Sequence, residues 1–260
     1  MSTILDEILA EKAKEVKKMK EDGIERCDKP KKTLNLFLKK IAQTTELLII
    51  SEFKRASPSK GILNIHLDPV EQAVRYEKNG AAAISVLTDQ PFFKGSFRDL
   101  ELIRQNVSVP ILCKDFIIDE IQIDAAKNAG ADIILLIAAA LDTKRIKELY
   151  HYATVNGLDV LMEVHDESEL EKAFLTGAKI IGVNNRNLKT FKVDLSVTER
   201  LAPFIINAGA HLISESGIKT EEDINRVRRA GAKAVLIGEA FMTNENTAQL
   251  LQSFAEVKVK

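Results

Sequence analysis

A Gly-Ala dipeptide recurs four times along the chain, each time directly before a short apolar run. The four stretches read "NGAAAISV", "AGADIILL", "TGAKIIGV" and "AGAKAVLI", with their glycines at Gly80, Gly130, Gly177 and Gly231. Glycine readily ends a helix in the left-handed conformation, and the small alanine lets the chain turn closely into the next strand. Helix caps that recur by chance are the alternative, but recurrence at spacings of 50, 47 and 54 residues favours a true repeat.

Eight short apolar runs predict eight strands, with polar segments of helical length between them. One such segment is "DPVEQAVRYEKNG", which has Pro69 in its first turn and Gly80 at its end. The alternation predicts an α/β chain forming one (β/α)8 TIM barrel over residues 1–260, with each repeat spanning two strand–helix units. A doubly wound open sheet is the alternative, but "SPSKG" follows the first strand instead of a glycine-rich dinucleotide turn. The runs are 48–53, 82–88, 110–113, 132–138, 159–164, 180–183, 211–214 and 234–237.

Residues 1–46 precede the first strand and are too amphipathic for a disordered tail. Apolar residues recur at helical spacing in "ILDEILAEKAKEVKKM" and again in "TLNLFLKKIA". We therefore expect an N-terminal helical extension of one or two helices packed on the barrel. Whether it only plugs the bottom of the barrel or also shapes the functional site stays open.

Composition excludes several classes of protein. The chain has 37 basic and 38 acidic residues, a net charge of −1, whereas nucleic-acid and membrane-surface binding need a basic excess. No apolar run approaches the roughly 20 residues that a membrane span needs, and the charged N-terminal stretch does not resemble a signal peptide. Neither Cys27 and Cys113 nor the four histidines have metal-binding spacing. We expect a cytoplasmic protein with reduced thiols, no metal, no nucleic acid and no membrane partner.

Charged and polar side chains follow most of the predicted strands. Because side chains alternate across a strand, Glu52 and Lys54 lie on the same face as Ile50. Carboxyl ends of barrel strands meet at one mouth, where active sites lie. A salt-bridge network that caps the core would explain one Lys–Glu pair, but two lysines, several carboxylates and an amide favour an acid–base site without a metal. The candidates are Glu52, Lys54, Lys114, Phe116, Glu163, Asn184, Arg186 and Glu215.

The last two strands are followed by turns suited to an anion. "SESGI" and "IGEAFM" supply Ser216, Gly217 and Gly238, whose backbone amides can approach a phosphate closely. The carboxylate of Glu239 opposes this interpretation unless its side chain turns outward.

At the third strand, Phe116 shares a face with Lys114, so we expect partial desolvation to lower the pKa of Lys114.

With these motifs in place, the sequence resembles the indole-3-glycerol phosphate synthase family of tryptophan biosynthesis. The resemblance covers nearly the whole chain, including the extension, and depends on the order of the motifs. Phe53 and Phe241 stand where smaller or aliphatic residues are more usual, and we expect Phe53 to point away from the site. The motifs are "EFKRASPSKG", "SVLTD" with "FFKGS", "CKDFI", "MEVHD", "GVNNRNL", "ISESGI" and "IGEAFM".

The resemblance implies ring closure of 1-(2-carboxyphenylamino)-1-deoxyribulose 5-phosphate to indole-3-glycerol phosphate, with loss of CO2 and water and without a cofactor. It implies that Lys114 is the general acid and Glu163 the general base, and that Lys54, Glu52 and Asn184 orient the substrate and assist dehydration. The remaining implied contacts are Ser57, Phe93, Phe116, Leu135, Arg186 and Glu215 for the substrate, and Ser216, Gly217, Gly238 and Glu239 for its phosphate.

Two other functions stay possible at this point. Another phosphosugar barrel, such as phosphoribosylanthranilate isomerase, needs an acid–base pair but neither a second lysine nor an extension of this length. A non-catalytic barrel that binds phosphometabolites or docks in a multienzyme complex needs neither lysine. We expect a small phosphorylated substrate and a monomer or weak homo-oligomer.

Overall fold

The computed structural model describes residues 3–24, 36–244 and 246–257. Eight parallel strands form a closed barrel in which each strand pairs with its neighbours in chain order and the last pairs with the first. The (β/α)8 prediction is confirmed, and the predicted strand limits agree to within one residue at nearly every end. The strands are β1 (Leu48–Phe53), β2 (Ala83–Leu87), β3 (Ile111–Lys114), β4 (Ile133–Ile137), β5 (Asp159–Val164), β6 (Ile180–Asn184), β7 (His211–Glu215) and β8 (Ala234–Ile237).

Helices alternate with these strands and surround the barrel, after two helices that precede it. Many of them begin at a polar side chain that accepts a hydrogen bond from the first turn, as Asp68, Asp142 and Asp166 do. The helices are α1 (Ile4–Asp22), α2 (Leu36–Gln43), α3 (Pro69–Lys78), α4 (Gln90–Phe93), α5 (Phe97–Arg104), α6 (Glu120–Asn128), α7 (Thr143–Val155), α8 (Glu167–Thr176), α9 (Ser196–Asn207), α10 (Glu221–Arg229), α11 (Glu239–Met242) and α12 (Thr247–Ala255).

The Gly-Ala repeat has the backbone conformation that its spacing predicts. All four glycines have positive φ angles, between 76° and 102°, a backbone conformation that residues with a side chain rarely adopt. At Gly130 a Cβ atom would also lie 2.5 Å from Cγ of Arg104, so close packing excludes any larger residue there. Each alanine that follows is buried where the chain enters the next strand.

The apolar core has two layers. Alternate strand residues point inward and form a small cluster inside the barrel, including Ile50, Leu112 and Leu161. The opposite faces pack against the surrounding helices in a larger cluster. Phe53 is 2% exposed and lies one residue beyond the inward-facing Glu52, so it points away from the barrel interior as expected.

The two N-terminal helices lie at opposite ends of the barrel. Phe37 and Ile41 of α2 join the interior cluster, and the backbone N–H groups of Phe37 and Leu38 donate to Asp159 at the start of β5. The α2 helix therefore closes the amino-terminal end of the barrel. Ile4 and Ile8 of α1 instead line the cavity at the carboxyl end.

Two predictions fall partly outside the described residues. Cys113 is a buried free thiol in β3, whereas Cys27 lies outside the described residues, as does Leu34 of the predicted second helix. Across the parts of the chain that the structure describes, no helix has the length and apolarity that crossing a membrane requires.

The position of α2 predicts a large stability effect at Phe37. Phe37→Ala leaves a cavity inside the barrel, and we expect the free energy of unfolding to fall by about 3–5 kcal/mol. The neighbouring Lys39 is exposed, so Lys39→Ala should stay within about 0.5 kcal/mol of the unchanged chain. Urea unfolding followed by circular dichroism measures both variants. Equal midpoints for the two would show that α2 is not part of the core.

Candidate active site

A cavity of about 680 Å³ opens at the carboxyl ends of the barrel strands. Every candidate site residue from the sequence lines this cavity, although the chemical role of each stays a prediction. Closure of the barrel explains the convergence, because inward-facing residues at the ends of β1, β3, β5, β6 and β7 all reach one space. The residues are Glu52, Lys54, Ser57, Phe93, Lys114, Phe116, Leu135, Glu163, Asn184, Arg186, Glu215, Ser216, Gly217, Gly238 and Glu239.

Lys114 lies at the centre of the charged groups. Its Nζ atom is 2.6 Å from Oε2 of Glu215 and 3.5 Å from Oε2 of Glu163. Lys54 lies to one side, with Nζ 2.7 Å from Oε1 of Glu52. The three carboxylates are all at most 3% exposed as residues, so their charges interact with little screening by water.

The expected lowering of the Lys114 pKa is wrong. Burial alone would lower the pKa of Lys114, but the negative charges of Glu215, Glu163 and Glu52 outweigh burial and raise it above its usual value. Phe116 lines the cavity, but the three carboxylates determine the charge of Lys114. Lys114 is therefore an ammonium ion in the resting protein.

The surrounding charges shift the pKa values of Glu215 and Glu52 in opposite directions. Burial raises the pKa of Glu215 first, and the nearby charges of Glu163 and Glu52 oppose the lowering by Lys114. In Glu52 the order differs, because the attraction of Lys54 and Lys114 outweighs burial and lowers its pKa. Glu52 is thus held ionised, whereas Glu215 holds a proton more readily than Glu52 does.

An amide connects the acid–base groups to the following turn. Asn184 donates from Nδ2 to Oε1 of Glu163 over 3.2 Å, and its Oδ1 accepts from the hydroxyl of Ser216 over 2.9 Å. The same Oδ1 accepts from the backbone N–H of Arg186. Asn184 is therefore fixed at both ends of its amide, and it fixes one oxygen of Glu163.

Two glycines make room for the carboxylates. A Cβ atom at Gly182 would lie 2.0 Å from Oε1 of Glu215, and one at Gly238 would lie 2.4 Å from Oε1 of Glu52. The sequence analysis missed Gly182, although a glycine inside an apolar strand signals a close approach by another group. Gly238 thus has a role that phosphate binding alone does not explain.

The turn after β7 has an unusual backbone. Ser216 and Gly217 have successive positive φ angles of 65° and 90°. Beyond it, Glu239 forms ion pairs with Lys60 over 3.4 Å and with Arg186 over 3.3 Å. The Glu239 side chain therefore turns toward two cations at the rim, which balance its negative charge. Lys60 belongs to the motif "EFKRASPSKG", but it was not singled out because it lies in the long loop after β1, where strand alternation gives no direction for a side chain.

Apolar groups cover the opposite side of the cavity. The rings of Phe93 and Phe116 lie 5.9 Å apart between centroids, and Leu135 lines the same space. The sequence analysis missed Ile4, Leu5 and Ile8 of α1 as cavity residues. Their apolar spacing predicts a buried face but does not reveal which end of the barrel it covers.

A buried lysine attaches α1 to this end of the barrel. Lys12 is 2% exposed, and its Nζ atom lies 2.8 Å from Asp115, 2.9 Å from Asp89 and 2.6 Å from Glu15. Burial would lower the pKa of Lys12, but Asp115 and Asp89 together raise it. A lysine in line with the buried Leu5, Ile8 and Val16 was the signal in the sequence.

Comparison with known proteins decides the family. The family model described as indole-3-glycerol phosphate synthase matches residues 5–254. The chain belongs to the indole-3-glycerol phosphate synthase family. The curated synthase of Bacillus cereus (strain B4264) is 53% identical over 252 residues, covering 97% of this chain and 98% of the relative. The synthase of Oceanobacillus iheyensis is 51% identical over 257 residues, covering 99% and 97%.

Membership of the indole-3-glycerol phosphate synthase family confirms the predicted family and enzyme class, a carboxy-lyase of tryptophan biosynthesis. A solved thiamine phosphate pyrophosphorylase from Pyrococcus furiosus aligns with a TM-score of 0.60 at 16% identity, covering 81% of this chain and 94% of that structure. That likeness concerns the barrel fold alone. Among the described residues, no group of three His, Cys, Asp or Glu side chains could hold a metal ion.

The Lys12 cluster predicts a stability difference between two lysines of α1. Lys12→Met leaves Asp89 and Asp115 buried without their cation, so we expect a loss of about 3–5 kcal/mol in the free energy of unfolding. Lys14→Met removes only an exposed pair with Glu11, so its effect should stay below about 1 kcal/mol. Urea unfolding measures both. A loss below about 1 kcal/mol at Lys12 would contradict the attachment of α1 through this cluster.

Proposed function

We propose that the chain converts 1-(2-carboxyphenylamino)-1-deoxyribulose 5-phosphate to indole-3-glycerol phosphate, CO2 and water by lysine and glutamate acid–base catalysis. The observation that carries the proposal is the Lys114 ammonium, held among Glu215, Glu163 and Glu52 inside the mouth cavity of a family member. The alternatives of a sugar isomerase or a binding protein give no reason for a second lysine at the same mouth.

Ring closure needs a charged hydrogen-bond donor at the substrate ketone. The ring carbon that bears the carboxylate attacks the ketone carbon, and negative charge develops on the ketone oxygen. Lys114 stabilises that charge and transfers its proton to the oxygen. Glu215 now holds the Lys114 ammonium over 2.6 Å. A proton on Glu215 would weaken that hold and free Lys114 for the substrate, which agrees with the raised pKa of Glu215.

Two losses follow ring closure. Breaking the bond to the carboxylate releases CO2, and its electron pair restores the aromatic ring. The hydroxyl formed from the ketone then takes a proton from an ammonium and leaves as water. A base removes one proton from the newly formed ring. Lys54 serves as the second acid, kept near Glu52 at 2.7 Å. Glu163 serves as the base, oriented by Asn184. No electrons are gained or lost overall, so no redox cofactor is needed.

The phosphate end of the substrate fits the rim around Ser216, Gly217 and Gly238. Glycine at two of these positions lets an anion approach the backbone amides. Lys60 and Arg186 contribute positive charge nearby, at present balanced by Glu239. The ring of the substrate then fits the apolar side near Phe93, Phe116 and Leu135, with Ser57 and Arg186 on the remaining wall.

The proposed acid predicts a large loss of turnover at Lys114. We expect Lys114→Met to reduce kcat at least about a thousandfold, because it removes both the proton and the charge. Lys114→Arg should recover little, because guanidinium holds its proton too tightly. The assay follows indole fluorescence after addition of the carboxyphenylamino sugar phosphate, with circular dichroism to confirm folding.

Three experimental outcomes, from this assay together with a binding measurement and a second substrate, separate the candidate functions. Indole formation by the unchanged protein supports the synthase. Binding without indole formation would favour a non-catalytic barrel, and turnover of a phosphoribosyl amine without indole would favour an isomerase. A Lys114→Met variant that keeps more than about a tenth of kcat would move the role of first acid to Lys54.

The phosphate site predicts competition by inorganic phosphate. Lys60→Ala removes a rim cation, so we expect a higher KM for the substrate, a higher inhibition constant for phosphate and little change in kcat. Lys144 lies on α7 and its side chain is 88% exposed, so Lys144→Ala is the matched control. Unchanged inhibition in Lys60→Ala would place the phosphate away from this rim.

A cytoplasmic location, a monomeric or weakly associated state and the absence of nucleic-acid partners remain predictions. So does the division into a barrel domain over residues 1–260 with the extension at 1–46. Size-exclusion chromatography with light scattering, at several protein concentrations, measures the oligomeric state.

A further inference from the structure

His165 follows directly after β5 and contacts the proposed base from the side opposite Lys114. Its Nε2 atom lies 3.5 Å from Oε1 of Glu163, and its Nδ1 atom lies 3.0 Å from Oε2 of Glu169 in the first turn of α8. The His165 side chain is 13% exposed. Nε2 itself is buried and makes no hydrogen bond to any described residue, and a buried nitrogen of this kind needs an explanation.

The hydrogen bonds of Glu169 fix the ring orientation of His165. The backbone N–H of His165 donates to Oε2 of Glu169 over 2.8 Å, so this oxygen is an acceptor. Nδ1 faces the same oxygen and must therefore carry a proton. In a neutral ring Nε2 would then present a lone pair to the carboxylate of Glu163. Two acceptors face each other stably only when they share a proton, so His165 and Glu163 are coupled.

The charged groups around His165 come from four elements. Glu163 extends from β5, Glu169 and Asp166 from the start of α8, and Glu215 from β7, while the Lys114 ammonium lies beyond Glu163. Burial alone would lower the pKa of His165. The hydrogen bond to Glu169 and the charges of Glu163, Glu169 and Glu215 outweigh burial and raise it. His165 therefore binds a proton more readily than an ordinary imidazole.

We propose that His165 is a positioning residue for Glu163, which its protonated ring holds in the orientation that the base needs. The inference rests on the proposed function, since Glu163 is the proposed base. Asn184 and His165 approach the same oxygen of Glu163, and Lys114 approaches the other. Glu163 is therefore held on three sides, and only the His165 contact can be lost by titration near neutral pH.

The sign of the pH dependence follows from the proton count. Below the His165 pKa, the positively charged ring attracts the Glu163 carboxylate across the 3.5 Å contact and keeps it oriented. As the pH rises through that pKa, the proton leaves, Nε2 becomes an acceptor, and the orienting contact is lost. Turnover therefore falls on the alkaline side as His165 loses its proton, with kcat affected more than KM.

Two amide variants separate the two nitrogens of His165. Glutamine places its amide near the position of Nε2 and donates at every pH, so His165→Gln should retain turnover better and lose the alkaline fall. Asparagine reproduces the Nδ1 contact to Glu169 but does not reach Glu163. We expect His165→Asn to lower kcat about ten- to a hundredfold with KM nearly unchanged. His151→Gln, an exposed histidine on α7, is the control and should keep the unchanged pH profile.

A titration without substrate tests the coupling independently of turnover. The chain has four histidines, so the resonance that His165→Gln removes identifies His165 in the imidazole NMR spectrum. Glu163→Gln removes one negative charge, and we expect the His165 titration to move to lower pH. Glu171→Gln, an exposed position on α8, should leave it in place.

The outcomes distinguish this inference from the proposed function. A shifted titration in Glu163→Gln with no indole formation by the unchanged protein supports the His165–Glu163 coupling and overturns the synthase reaction. Indole formation with an unshifted titration overturns the coupling. An alkaline fall that persists in His165→Gln, or a kcat in His165→Asn equal to that of the unchanged protein, overturns the positioning role.

Discussion

Closure of eight parallel strands into a barrel puts all of their carboxyl ends on one rim, and the site depends on this constraint. The closed ladder satisfies the backbone hydrogen bonds of every strand, so the strands have no free edge. Inward-facing residues near the middle of the strands fill the interior with apolar groups. Inward positions near the carboxyl ends of the strands meet open space, and there Glu52, Lys114, Glu163 and Glu215 converge.

The convergence sets the charge balance of the site. Glu215 is separated from Lys114 by 101 positions in the chain, yet the two make the shortest ion pair at the mouth. Three buried carboxylates around one ammonium keep Lys114 charged, while burial and the neighbouring carboxylates raise the pKa of Glu215. In the proposed mechanism, the resting arrangement keeps the acid in an ion pair, and a substrate oxygen must compete with Glu215 for it. Binding and activation of the acid are therefore linked.

Much of the fold was predictable from the sequence because strand alternation and glycine caps are local properties. The apolar runs that follow Gly80, Gly130, Gly177 and Gly231 set the period, and alternation from Ile50 placed Glu52 and Lys54 on the inner face. The pKa of Lys114 was not predictable in the same way, because its neighbours come from strands far apart in sequence. The near neighbour Phe116 suggested desolvation, and burial is indeed the largest single influence, but the distant carboxylates together outweigh it.

The placement of the N-terminal extension was likewise not predictable from the sequence. Amphipathic spacing predicted one or two helices on the barrel, but it could not assign α2 to the amino-terminal end and α1 to the mouth. The assignment depends on polar partners that only the fold brings close, namely Asp159 for α2 and the pair Asp89 and Asp115 for Lys12 of α1. The acidic partners of the two helices therefore determine which end of the barrel each helix covers, and the spacing of apolar residues does not reveal these partners.

Asp115 links the attachment of α1 to the proposed catalytic strand. Lys114 and Asp115 are adjacent at the end of β3, so alternation turns Lys114 into the cavity and Asp115 toward the helices. Asp115 accepts from Thr88 over 2.6 Å and pairs with Lys12, while Lys114 pairs with Glu215. The end of β3 is thus held from both faces by buried charge pairs. A displacement of α1 would pull on Asp115, and the ammonium next to it would move with the backbone. The N-terminal helix therefore contributes a wall to the cavity and is also tied by a buried ion pair to the residue next to the proposed acid.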